Sequence, residues 1–159
     1  MVPEPQTRIS KRALVVWRIT GVITSLFSWI VGGALVTLGV LFDWPVWMII
    51  ALIILILIFS YLFTFFFPKL RWKRWRYEVR EQEIEIQRGV FIMKRTLIPM
   101  VRVQHVDTQQ GPLLRKYQLS TVMISTAATV HEIPALEMDE AEELRRSISR
   151  LARVADEDV

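Results

Sequence analysis

Residues 19–42, ITGVITSLFSWIVGGALVTLGVLF, and 46–67, VWMIIALIILILIFSYLFTFFF, are separated only by Asp43-Trp44-Pro45, and neither block contains a charged residue. About 20 apolar residues cross a hydrocarbon core roughly 30 Å thick, so each block is long enough for one span. A single helix over both would far exceed the bilayer at about 1.5 Å per residue. It would also hold Asp43 near its middle, where an ionised carboxylate costs about 2.5–3.5 kcal/mol. Pro45 has no N–H to donate and suits the first turn of a new helix. The blocks therefore read as a transmembrane α-helical hairpin over residues 19–67 with its turn at 43–45. Trp44 and Trp47 are expected at one membrane interface, Trp72 and Trp75 at the other.

The rest of the composition agrees. The chain has 159 residues, 52% of them hydrophobic, and a mean hydropathy of +0.33, a membrane-protein balance. With no cysteine there is no disulfide, thiol nucleophile or thiolate metal site. His105 and His131 are the only imidazoles and fall in no metal-binding spacing, so no metal and no cofactor is expected. The first apolar run is too long for a cleaved signal peptide.

Basic residues set the orientation. Arg8, Lys11, Arg12 and Arg18 precede the first span; Lys69, Arg71, Lys73, Arg74 and Arg76 follow the second; the turn carries only Asp43. The positive-inside rule puts both termini in the cytoplasm. Residues 1–18 read as a cytoplasmic N-terminal tail, flexible over 1–12. Gly21, Ser25, Ser28 and Gly32 share one face of the first span and admit a close helix, either the second span or another copy. The second span has no polar face and neither span holds a charge, so no ion pathway or proton relay is expected.

Pro68 is expected to end the second helix. Residues 68–77 form a basic–aromatic segment leading into the first strand. Lys69, Arg71, Lys73, Arg74 and Arg76 suit an anionic inner leaflet, either as a topology anchor or as lipid-headgroup contacts. A cluster pinned at the membrane argues against nucleic acid. Beyond Tyr77 the period changes to two: Glu83-Ile84-Glu85-Ile86-Gln87 alternates as a half-buried strand. Gly89 marks a turn, residues 90–98 the next strand, and Pro99 its interruption. Val101, Val103 and Val106 predict a strand with broken register near His105. Residues 119–126 read as strand, and 130–133 as a last strand stopped by Pro134. Asp139 as N-cap with Glu142 resembles a capping box. Ala141, Leu144, Ile148, Leu151 and Ala155 make one apolar helical stripe.

The series Arg88-Gly89-Val90, Arg95-Thr96-Leu97-Ile98-Pro99, Val103-Gln104-His105-Val106, Gln110-Gly111-Pro112-Leu113-Leu114-Arg115, Ser125-Thr126-Ala127 and Glu140-Ala141-Glu142-Glu143-Leu144 resembles the bacterial pleckstrin-homology (PH-like) membrane proteins of the YdbS type. The resemblance covers about residues 72–152, and the preceding hairpin matches that architecture. Gln118 and Ala128 stand where the family pattern has glycine. The resemblance implies a mainly-β PH-like domain over residues 72–155, a bent antiparallel sheet or partial barrel capped by a C-terminal α-helix. It implies a bacterial cell membrane, no enzymatic reaction, and a membrane protein partner carrying similar PH-like domains or a homo-oligomer.

No catalytic constellation stands out. Ser120, His131 and Asp139 have no supporting spacing, and no Gly-rich phosphate loop or GxSxG elbow is present. The turn Val79-Arg80-Glu81-Gln82-Glu83 sets one arginine among glutamates, a poor cradle for inositol phosphate. Gln104, Gln110 and Arg115 are the suggestive polar residues, either bonding backbone at a bend or facing a partner. The expected function is a non-catalytic scaffold or interaction module without a small-molecule substrate. The alternative is anionic-lipid sensing through residues 69–76, and a transport-complex subunit ranks behind both.

Overall fold

A computed structural model describes residues 5–157. The part of the expected tail at residues 1–4 lies outside the described residues. Two compact units result: Trp17–Leu70, and the flanking segments up to Val16 and from Arg71 onward.

In the hairpin unit, α1 (Ala13–Leu41) and α2 (Val46–Tyr61) are the two apolar helices. Asp43 closes α1 at a φ of 51°, a left-handed conformation that a short acidic side chain tolerates. The Trp44 amide donates to the Gly39 carbonyl at 2.8 Å, and Pro45 caps α2. Pro68 does not end the second helix. A π-helical turn at Leu62–Phe66 leads into α3 (Phe67–Arg74), so the chain stays helical to Arg74. Pro68 lies inside this continuous helix directly after the π-helical turn, a local adjustment that re-satisfies the backbone groups a proline frees.

The helices meet at small residues. A Cβ on Gly21 would land on the Phe63 carbonyl oxygen and within 2.9 Å of Thr64 Cα; one on Gly32 would run into the Ile56 side chain. Ser25 Oγ donates to the Gly21 carbonyl at 2.8 Å and lies 3.2 Å from Thr64 Oγ1. Ser28 bonds its own helix at the Thr24 carbonyl. Gly39, under the Trp44 ring, extends the seam by two turns.

The second unit begins before the hairpin. Thr7–Arg8 form β1, which pairs antiparallel with β2 (Arg76–Val79) in the register Thr7↔Tyr77 and Arg8↔Arg76. The segment from Pro5 is thus part of the domain and not a flexible tail. Pro5, Ile9, Ala13 and Val16 are buried, Trp72 Nε1 donates to the Ser10 carbonyl at 3.1 Å, and Ser10 Oγ donates to Glu137 at 2.7 Å. Trp75 is buried in the core and so is not part of a membrane belt, while Trp72 is half-buried.

A four-stranded sheet continues through β3 (Glu83–Arg88) and β4 (Lys94–Pro99), and a three-stranded sheet holds β5 (Val103–Gln109), β6 (Leu119–Thr126) and β7 (Val130–Glu137). All pairings are antiparallel, and the two sheets do not close into a barrel. The register shifts between Val103 and His105, leaving Gln104 as the extra residue. Pro134 does not stop β7. It lies on an edge strand at a second register shift, where Pro134 and Ala135 face one residue of β6 and Ala135 takes a φ of 53°. Gln118 adopts a φ of 54° after the short helix α4 (Pro112–Lys116), the conformation for which glycine is the usual choice; Ala128 does not.

The terminal helix α5 (Met138–Glu157) starts two residues earlier than the capping box implies. Glu142 pairs forward with Arg145 and Arg146 instead of reaching back. Ala141 and Ile148 are buried as α5 packs on β5, β6, β7 and the 3₁₀ turn Met100–Arg102. Tyr77 Oη donates to Glu140 at 2.9 Å, tying β2 to α5; burial and the carboxylate both push its pKa up.

Gly21→Val should weaken the hairpin by about 1–3 kcal/mol, because the atoms it meets are backbone and cannot yield. Gly33→Val, with nothing near its Cβ, should leave denaturation in mixed micelles almost unchanged. Since the chain lacks cysteine, an R8C/R76C variant offers a clean test of the β1–β2 register. Partners in an antiparallel pair lie about 4.5–5.5 Å apart at Cα, within disulfide reach, so oxidation of the solubilised protein should remove both free thiols.

Candidate functional site

Cross-strand pairing decides which charges share a face. Residues directly opposite in an antiparallel ladder point the same way. The row Arg8↔Arg76, Arg76↔Gln87 and Gln87↔Arg95 therefore lines up three arginines across the four-stranded sheet, with Gln87 buried beneath them. The next outer row carries Glu78, Glu85 and Leu97. Buried Glu85 accepts from Arg95 at 2.5 Å and from Arg80 at 3.3 Å. Arg80 also holds Glu83 at 2.9 Å and Glu78 at 3.1 Å. The hydrogen bonds to Glu78 and Glu83 raise the Arg80 pKa, and these carboxylates occupy the guanidinium at the first hairpin turn.

The β3–β4 hairpin ends in a second basic group. Arg88 stands opposite Lys94, and between them residues 89–93 form a loop instead of the expected start of a strand. Gly89 has a φ of 142°, and a Cβ there would strike the Ile92 carbonyl. This backbone cannot extend β4 back to Val90, because it turns sharply at Gly89. Phe91 and Ile92 are 77% and 85% exposed. The Arg74 guanidinium donates to the Val90 carbonyl and pins the loop to the end of α3. On β7, His131 is held below its ordinary pKa of 6.5, by desolvation first and then by the charges of Arg88 and Lys94.

The basic residues singled out from sequence divide accordingly. Lys69, Arg71 and Lys73 are exposed, Arg74 binds the loop, and Arg76 belongs to the sheet row. The other motif scatters. Gln110 Nε2 donates to the Leu119 carbonyl at 3.0 Å and braces the turn around α4. Gln104 is the exposed extra residue on β5, and Arg115 is exposed on α4. His105 lies 3.5 Å from Asp107 on the same exposed strand. Ser120, His131 and Asp139 form no triad: Ser120 Oγ bonds the Gln109 carbonyl. No group of acidic or imidazole side chains suited to a metal ion occurs among the described residues.

Sequence reading missed two contributors. Arg8 counts as a tail charge until β1 places it in the arginine row. The loop at 89–93 reads as strand because Val90, Phe91 and Ile92 are strong strand formers. Gly89 beside Arg88 and before three apolar residues was the available signal.

His131 should titrate below 6.5 by NMR in the solubilised protein. The unfolded chain takes up that proton first, so the stability contributed by neutral His131 is complete above about 6.5 and falls as pH drops through it. H131Q should flatten that part of the pH–stability profile.

Comparison with known proteins places this geometry in a family. The model of the bacterial PH domain matches residues 21–152. UPF0699 transmembrane protein YdbS of Bacillus subtilis (strain 168) is 54% identical over 159 residues, covering 100% of both chains. UPF0699 transmembrane protein YdbT of the same strain is 26% identical over 117 residues, which is 71% of this chain and 20% of that longer protein. No solved structure matches. The chain is a transmembrane protein that belongs to the bacterial PH domain family, and it stands with the YdbS type within it.

Proposed function

We propose that this is a non-catalytic integral membrane protein that presents its PH-like domain as an interaction module on the cytoplasmic side of a bacterial plasma membrane. The observation that carries the reading is the pairing of Thr7–Arg8 with Arg76–Tyr77. The domain draws strands from both sides of the hairpin and is joined to it by two covalent connections. A domain closed by segments on both sides of the hairpin is retained at the membrane, where a partner in the same bilayer can meet it. Flanks that pair with each other share one side of the membrane, and the basic clusters favour the cytoplasm as that side.

The partner is a membrane protein with a domain of similar kind, or a second copy of this chain. Support comes from the YdbT relative, in which a segment resembling this chain occupies 20% of a longer transmembrane protein. The competing reading is anionic-lipid sensing by the segment at residues 69–76, favoured by the exposure of Lys69, Arg71 and Lys73.

In-cell crosslinking of the full chain, solubilisation and mass spectrometry separates the two. A reproducible crosslink from the cytoplasmic domain to one membrane protein, or to a second copy, is expected. Recovery only as a partner-free monomer would reject the interaction module.

A further inference from the structure

We propose that the β3–β4 loop, residues 89–93, docks into an anionic bilayer surface. Phe91 and Ile92 enter the headgroup–acyl boundary while Arg88 and Lys94 bind headgroups.

A folded domain rarely leaves two large apolar side chains this open at the tip of a hairpin without a use for them. Here they are not on a floppy segment. Gly89 permits the sharp turn that a side chain would resist, and the Arg74 guanidinium holds the Val90 carbonyl. The loop is thus tied down at its base, which reduces the backbone that insertion must order.

The charges specify the occupant. Arg88 and Lys94 are directly opposed across the ladder, an arrangement that destabilises a sheet unless an anion relieves it. Their field also disfavours protonation of His131. An apolar tip ringed by cations matches the anionic membrane surface, apolar inside and negative at the rim.

The test uses the full chain reconstituted in vesicles of phosphatidylcholine, with or without phosphatidylglycerol. I92C and E81C each carry one environment-sensitive fluorophore, and the chain has no native cysteine to compete. Glu81 is exposed in the turn at the opposite end of β3. The expected result is a blue shift at position 92 in phosphatidylglycerol vesicles and quenching by acyl-chain nitroxides. Both effects should weaken at high salt and in R88Q/K94Q, and neither should occur at position 81. Three outcomes overturn the proposal. Position 92 could be as water-accessible as 81 in both vesicles. Its quenching could be the same with and without phosphatidylglycerol and insensitive to salt. Or it could be shielded from water without lipid quenching, which means a protein covers the loop. The salt series needs no substitution in the hairpin, so a misfolded R88Q/K94Q leaves the proposal testable. The experiment contains no partner protein, so its failure is distinct from that of the interaction-module reading.

Discussion

The backbone pairing of Thr7–Arg8 with Arg76–Tyr77 is the constraint on which the soluble unit depends. So short a strand makes few ladder bonds and would not hold by itself. It persists because its neighbours are fixed: Pro5 and Ile9 are buried, Trp72 bonds the Ser10 carbonyl, and Glu137 takes both Ser10 and Arg12. Closing so long a loop between β1 and β2 carries an entropic cost that grows only slowly with length. Much of that cost falls on forming the hairpin, because two antiparallel spans already return the chain to the side it left.

Within the hairpin, a different physics operates. Lipid tails are as apolar as leucine, so burial of apolar surface gives little drive for the helices to associate. Close approach must supply it. Gly21, Gly32 and Gly39 provide the space, and the Ser25–Thr64 pair provides a polar contact where no water competes. The π-helical turn at Leu62–Phe66 is part of this contact: Phe63 and Thr64, the residues that meet Gly21, lie inside it. A wider helical turn re-aims side chains locally, and here it does so at the tightest point of the seam.

How legible this was in the sequence depended on whether a signal was local. The two spans, the β3 alternation, the register break near His105 and the stripe of α5 are periodic features, readable within one segment. Pro68 and Pro134 misled for a common reason. Each is a breaker by propensity, yet one follows a π-helical turn inside a membrane helix, where local adjustment re-satisfies the freed backbone groups, and the other sits on an edge strand at a bulge, where the missing N–H is harmless. The role of residues 5–12 was illegible because β1 is defined only by a partner far along the chain. Apolar β-formers at 90–92 look like strand until Gly89 turns the backbone. The candidate site suffered most, since it is assembled by register: Arg8, Arg76 and Arg95 acquire a common meaning only after the strands are paired.

That register carries a cost which the fold alone does not explain. Sheets ordinarily set opposite charges, or none, across a ladder. This one sets Arg8 against Arg76 and Arg88 against Lys94, while Glu85 neutralises Arg95 from beneath. Cationic side chains are thus placed at the β1 edge and at the β3–β4 tip, and carboxylates are gathered at the other end of β3 around Arg80. The sheet is electrically polarised along β3, although residues 68–159 carry only a small net charge. A polarised sheet has a preferred orientation in any external field, and the field of an anionic membrane falls away within about a Debye length, roughly 8–10 Å. Charge placed at one end of the domain can act on that field; the same charge spread evenly could not orient anything.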